Sequence, residues 1–526
     1  MHERAVMRLD TFLESSAARF PEKIALVCGE QRLDYGWLEA HCNQLAHGLL
    51  ALGVRRGDRV AVCLDNSREA VLSIFAIAKA GAVFIMVNPT TKGEKLSYLL
   101  HNSGATVLIT QARQVQRLLS SWAAVPALTA VLVAGKMVEP VEPESVRVLS
   151  LDALMREYSA AVQPPPKQHC AGDLAALIYT SGSTGNPKGV MMTHANMVAA
   201  ATSITTYLEN TSDDIILNVL PLAFDYGLYQ VLMGVKIGGT VVLEWSFTYP
   251  QVVLQRLREE RVTGFPIVPT MSALLLQMDL TAYRFPCLRY ITNTGAALPP
   301  SHITKLRELF PQTRLYSMFG LTECKRVSYL PPEQLERRPT SVGKAMPNVE
   351  VYIVDVQGQR VSPGEVGELV VRGPNVMQGY WQLPEETAQV LKPGLTPGEH
   401  VLYTGDLFRM DAEGYLYWVG RKDDIIKSRG EKISPKEVEN VLYNLEGIAM
   451  AAVIGVPDTI LGQAVKAVIT LREGMLLTQK DILRHCAQHL EDFMIPRVIE
   501  FRDAMPRTAT GKIDKRALAA GEGCVA

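Results

Sequence analysis

Residues 179–189 read YTSGSTGNPKG, which places four Ser/Thr hydroxyls, three glycines and one lysine directly after the apolar run LAALI. Glycine lets backbone N–H groups turn toward an anion, the hydroxyls of Thr180, Ser181, Ser183 and Thr184 add donors, and Lys188 adds positive charge. Such a loop can wrap a polyphosphate. It is not the P-loop pattern GxxxxGK[ST], because Pro187 precedes Lys188 and Gly189 follows it. Alone, the segment also reads as a surface turn; the apolar run before it and the helix-like THANMVAAATSI after it favour a phosphate site. A second chemical signal is Asp225 in LPLAFDYGLYQ. An anion among apolar residues is costly unless a cation meets it, so Asp225 either receives a cationic substrate group or caps a helix.

The stretch YTSGSTGNPKGVMMTH resembles the phosphate loop of the adenylate-forming superfamily, which includes acyl-CoA synthetases, peptide-synthetase adenylation domains and firefly luciferases. MFGLTE, YTGD, GRKDDIIKSRGEKISPKEVE and PRTATGKIDKR resemble further signatures of that family, in its order and over nearly the whole chain. The resemblance implies an enzyme that joins a carboxylate to the α-phosphate of ATP, releases pyrophosphate and passes the acyl group to a thiol, with ATP and Mg²⁺ as cofactors. It implies that Thr180, Ser181, Gly182, Ser183, Thr184, Gly185 and Lys188 surround the phosphates. Phe319 and Gly320 would pack the adenine, with Gly295 also on the nucleotide. Thr322 would bind the α-phosphate, and Glu323 would hold Mg²⁺ through a hard oxygen. Asp406 would accept both ribose hydroxyls, with Arg421 nearby, and Lys512 would bridge the substrate carboxylate and the α-phosphate. Thr180, Lys188, Glu323 and Lys512 would be the catalytic set. Asp423 would be the pivot of a swinging small domain, and Gly430 would leave space for a pantetheine arm after the swing.

The resemblance extends less firmly to the acid. The Phe224–Asp225 pair is similar to the position whose Asp binds the substrate ammonium in amino-acid-activating members. The same alignment puts Tyr226, Tyr229, Pro266, Thr292, Thr294, Met318, Arg326 and Val327 around the pocket, with two tyrosines suggesting a shallow one. Cys324, Lys325 and Arg326 depart from the small neutral residues common after the Thr-Glu pair and bring cationic charge near the substrate. Arg326 could meet a second substrate carboxylate, or Asp225 itself. The expected substrate is a small carboxylic acid, an amino acid first. With no carrier domain after Lys512, the acceptor is expected to be the phosphopantetheine of a separate carrier protein, the alternative being coenzyme A in an AMP-forming acyl-CoA ligase. A silent nucleotide-binding relative would be expected to lack Lys512 or Glu323, and both are present.

The elements that must position these groups are legible in outline. Short runs such as RVAVCL and ATVLIT alternate with longer helical patterns such as SREAVLSIFAIAKAG, which predicts an α/β fold with largely parallel sheets. With the resemblance, the expected architecture is a large N-terminal domain of two αβ sheets and a β-rich subdomain, followed by a small mobile α+β lid. The expected bounds are residues 1–420, with the subdomain at about 345–420, and residues 421–526 carrying Lys512. The 526 residues suffice for several compact units. Lys plus Arg total 53 against 54 Asp plus Glu, so no net field draws the chain to nucleic acid or a membrane surface. Hydrophobic residues at 48% and charged residues at 20% exclude long disorder. The eight cysteines show no CxxC pair and no zinc spacing, which predicts free thiols. The most apolar stretch, residues 71–87, is interrupted by Lys79 and Gly81, and the N-terminus has no continuous apolar segment. A cytoplasmic protein is expected.

Overall fold

The computed structural model describes residues 8–520 except 92, 116–124, 137–145, 181–185, 281–282, 423, 429–430, 459–461 and 509–510. The alternating pattern becomes parallel strands joined by helices. In a seven-stranded sheet, Arg59–Cys63, Val83–Met86, Ala105–Gln111, Ala130–Ala134 and Arg147–Ser150 run parallel. Leu174–Thr180 joins beside Val83–Met86 and turns back, antiparallel, as Lys188–Thr193. Thr193 then caps the helix His194–Tyr207 reciprocally with Asn196, so the hairpin bearing the phosphate segment is locked to a helix start.

The second sheet is parallel through Ile215–Asn218, Gly264–Ile267, Tyr290–Asn293 and Arg314–Phe319, then becomes antiparallel at Ser328–Leu330. The expected β-rich part is present, but it is not a separate layer. Strand Ser341–Ala345 bonds to Ser328–Leu330 on one side and to Leu416–Arg421 on the other, making one 14-stranded sheet. A five-stranded sheet follows, from Ile426–Ser428 to Val498–Phe501, with helices Pro435–Tyr443 and Gln479–His489. It has its own core around Ile433, Val438, Val453 and Ile482.

The N-terminal segment is tied down by groups that spacing could not pair. Asp10, His169 and His194 come within 4.8 Å of one another. Arg8 holds both Asp10 oxygens, at 3.2 and 3.1 Å, and the Leu9 N–H donates to His194 Nδ1 at 3.2 Å. These occupied atoms make the cluster a tether. The seven described cysteines are free. Among the described residues, no helix is long and apolar enough to cross a membrane.

The joint between the two parts of the large sheet depends on Gly343. Its φ is +84°, and a Cβ there would lie 1.7 Å from the Tyr329 carbonyl oxygen. Ser341 Oγ completes the joint, donating to the Leu416 carbonyl at 2.9 Å and accepting the Gly343 N–H at 3.0 Å. Gly343→Ala is expected to destabilise the protein by about 3 kcal/mol, from backbone strain and the clash together. A thermal transition lowered by several degrees is the readout; an unchanged one would contradict this account of the joint.

Candidate active site

The parallel strands of the second sheet end, at their carboxyl side, in a crevice of the kind where α/β sheets bind ligands. Tyr290–Asn293 leads into Gly295, and Arg314–Phe319 leads into Gly320, Thr322 and Glu323. Gly320 is required by close approach, because a Cβ there would lie 2.3 Å from the Lys325 carbonyl oxygen. Phe319 packs edge-to-face on Phe408, with centroids 4.9 Å apart, and keeps part of its surface exposed at the crevice. From the first sheet, Thr180 and Lys188 face each other across the hairpin. Ser181, Gly182, Ser183, Thr184 and Gly185 lie outside the described residues.

Two aromatic residues that the sequence reading missed hold the acidic groups. The Tyr380 hydroxyl donates to Glu323 Oε1 at 2.7 Å, while Lys188 Nζ lies 5.1 Å from the Tyr380 ring centroid. Burial, with the Glu323 charge behind it, pushes the Tyr380 phenol up, so it stays a donor. Glu323 is half-buried and oriented through one oxygen, which leaves the other able to meet a hard cation whose remaining ligands are phosphate and water. Glu323 therefore fits Mg²⁺. Asp406 is buried, and the indole Nε1 of Trp418 donates to its Oδ1 at 3.0 Å. Arg421, its neighbour across the strand pair, places Nη1 3.7 Å from Oδ2. Burial pushes the Asp406 carboxyl up, and Arg421 and Trp418 work against it. Neither Trp418 nor Tyr380 falls in a motif; each is an ordinary strand or loop aromatic until its partner is known.

Lys512 arrives from the C-terminal unit. A Cβ on Gly295 would lie 3.8 Å from Lys512 Cε, so the lysine stem passes over the end of Tyr290–Asn293. Its loop is closed by backbone bonds from Thr508 N–H to the Lys512 carbonyl and from Gly511 N–H to the Thr508 carbonyl. The ammonium keeps solvent contact, yet the surrounding protein lowers its pKa, against the pull of Asp225 and Asp406. One lysine thus meets the fields of the acyl-side, ribose-side and metal-side acids. Asp423 and Gly430 lie outside the described residues.

On the acyl side, Asp225 opens the helix Asp225–Ile237, where an acid suits the helix dipole, but the capping position is Phe224 and carries no side-chain cap. Lys325, not Arg326, meets it: Lys325 Nζ lies 3.4 Å from Asp225 Oδ2 and 4.5 Å from the Tyr229 centroid. Lys325 holds a left-handed backbone, φ 63°, in the turn between Glu323 and Val327. That turn is clamped. Asn375 Nδ2 donates to the carbonyls of Cys324 and Arg326 at 2.7 and 2.9 Å, and the Val327 N–H donates to the Phe319 carbonyl at 2.9 Å. Tyr226 donates to the Thr292 carbonyl at 2.9 Å, Pro266 pairs in register with Thr292, and Met318 Sδ accepts the Tyr207 hydroxyl at 3.0 Å. Thr294, Tyr229 and Val327 are buried in the same region.

The chain matches the AMP-binding enzyme family over residues 13–381 and the AMP-binding enzyme C-terminal domain over residues 437–512. It belongs to that family. Feruloyl-CoA synthase from Amycolatopsis sp is 34% identical, over 94% of this chain and 95% of that one. A long-chain-fatty-acid–CoA ligase from Bacillus subtilis (strain 168) is 31% identical, over 97% and 94%. The crystal structure of the anthranilate CoA ligase AuaEII with anthranoyl-AMP superposes with a TM-score of 0.88 at 27% identity, covering 98% of this chain and 97% of that one. The protein is accordingly an AMP-forming acid–thiol ligase that uses ATP and Mg²⁺.

Trp418→Phe removes the donor to a buried carboxylate and is expected to weaken ATP binding about tenfold, the equivalent of one hydrogen bond to a charged group; calorimetric titration of ATP checks it. Burial lowers Lys325 from 10.5 to about 7 although Asp225 opposes it. Between those values the unfolded chain binds more protons than the folded one, so this group makes stability rise with pH across that window. Lys325→Met is expected to flatten that rise, read as thermal midpoints of both proteins from pH 7 to 10.5.

Proposed function

We propose that the protein is an AMP-forming acyl-CoA ligase for a small acid. The observation that carries this reading is the Lys325–Asp225 pair, because the carboxylate that would anchor a substrate ammonium already has a buried cation from its own chain. The relatives named as CoA ligases support the same acceptor, and they differ enough in acid, from ferulate to long fatty acids, that the acid must be read from this pocket.

In the adenylation step a carboxylate oxygen attacks the α-phosphorus, the bond to the bridging oxygen breaks, and pyrophosphate leaves. Thr180, Lys188 and residues 181–185 hold the β- and γ-phosphates, Thr322 the α-phosphate, and Asp406 with Arg421 the ribose; Phe319, Gly320 and Gly295 border the adenine. Lys512 bridges the attacking carboxylate and the α-phosphate, where negative charge concentrates. Mg²⁺, held by Glu323, would neutralise triphosphate charge when bound. In the second step the thiol sulfur attacks the acyl carbon, AMP leaves as the C–O bond breaks, and the thiol proton passes to water. The unit from residue 421 onward swings about Asp423 between the steps, withdrawing Lys512 and bringing Gly430 toward the thiol path. Free thiols among the described residues, together with a need for ATP and coenzyme A, support a cytoplasmic setting for the reaction.

The test is acid-dependent ATP–pyrophosphate exchange followed by thioester formation with coenzyme A, across aryl, aliphatic, dicarboxylic and amino acids. Thioester formation only on an added carrier protein, or exchange only with amino acids, would overturn the coenzyme A reading. Lys512→Ala is expected to cut exchange by about 10²- to 10³-fold, while coenzyme A still consumes supplied acyl adenylate. Equal loss of both steps would remove Lys512 from its adenylation role.

A further inference from the structure

The region beside Asp225 holds a buried guanidinium whose donors are not all met. Arg326 is 2% exposed, and its Nε and Nη1 have no hydrogen-bond partner. Its guanidinium carbon lies 5.4 Å from the Tyr226 centroid, and Tyr226 in turn is bonded to Thr292 at the end of Tyr290–Asn293. The Tyr229 hydroxyl, on the next turn of the same helix, is also buried without a partner. The nearby acid, Asp225, is taken by Lys325 at 3.4 Å and makes no ion pair with Arg326 among the described residues. The other acids of the crevice are engaged elsewhere, Glu323 by Tyr380 and Asp406 by Trp418.

A guanidinium does not escape this situation by losing its proton, as a lysine can. A buried charge without a counter-charge is strongly unfavourable, and the face of one tyrosine offsets only a part. Something that enters the pocket must supply the anion. Because the open nitrogens and the Tyr229 O–H are all donors, that group must be an acceptor with several lone pairs.

We infer that the acid activated here carries a second carboxylate at its far end, received by Arg326 and the Tyr229 hydroxyl while the first carboxylate meets ATP. This rests on the reading of the crevice as the acid-activating site and deepens it. Tyr226 and Tyr229 restrict the spacer between the two carboxylates to a short chain or a planar ring. No bond is made or broken at the second carboxylate; its role is binding and orientation, with a guanidinium suited to the planar carboxylate.

The experiment measures kcat/KM for pyrophosphate exchange on matched pairs: butanoate and succinate, pentanoate and glutarate, benzoate and phthalate. The dicarboxylate of at least one pair is expected to be favoured by about tenfold or more, and Arg326→Met to lower that di-to-mono ratio about a hundredfold, chiefly through KM. Arg326→Lys is expected to recover part of the ratio. Should Arg326→Met fail to fold, Tyr229→Phe is expected to lower the same ratio by about tenfold. Preference for the monocarboxylate in every pair, absence of exchange with every dicarboxylate, or a ratio unmoved by these variants overturns the inference. Exchange precedes the acceptor, so failure to form coenzyme A thioesters would sink the acceptor assignment while leaving this result readable.

Discussion

Negative charge gathered in one crevice is the constraint on which the site depends. Asp225, Asp406 and Glu323 all act on Lys512, and a triphosphate and a carboxylate must join them. The fold keeps each acid in place with its own partner: Lys325 for Asp225, Trp418 and Arg421 for Asp406, Tyr380 for Glu323. Lys512 differs, since its side chain has no hydrogen-bonded partner among the described residues although Asp225, Asp406 and Glu323 all raise its proton affinity. Fixed acids and an unfixed lysine are what a site needs if one cation is to serve a step and then leave.

The same division shows in the architecture. Asp406 lies in a strand of the continuous sheet joined through Ser341–Ala345, Glu323 follows another of its strands, and Asp225 opens a helix packed on it, so the three acids belong to one hydrogen-bonded body. The lysine sits on a loop of the C-terminal unit, which has its own sheet and its own core. Under the proposed two-step reaction, this division would let one group be withdrawn without rebuilding the site that holds the others.

Much of this could be read from the chain. The α/β alternation, the β-rich part, the C-terminal unit and the family itself were legible because local runs of residues carry them. What was not legible depended on contacts between distant residues. Asp225 looked available for a substrate ammonium because its partner Lys325 is a hundred residues away, brought close by a left-handed turn that no spacing rule announces. Trp418 and Tyr380 carry no motif, and their importance comes only from the carboxylates they face. The β-rich part was readable as strands, but its fusion to the second sheet turns on the single backbone conformation of Gly343.

The clamped turn from Glu323 to Val327 ties two properties to one short peptide. Its first residue, Glu323, is oriented by Tyr380, its middle residue Lys325 meets Asp225, and Asn375 fixes the Cys324 and Arg326 carbonyls. Chain length there cannot change without displacing the metal-side acid or the strand that follows. Side chains at this turn can be exchanged one for one, whereas an inserted residue would break the hydrogen bonds that clamp it.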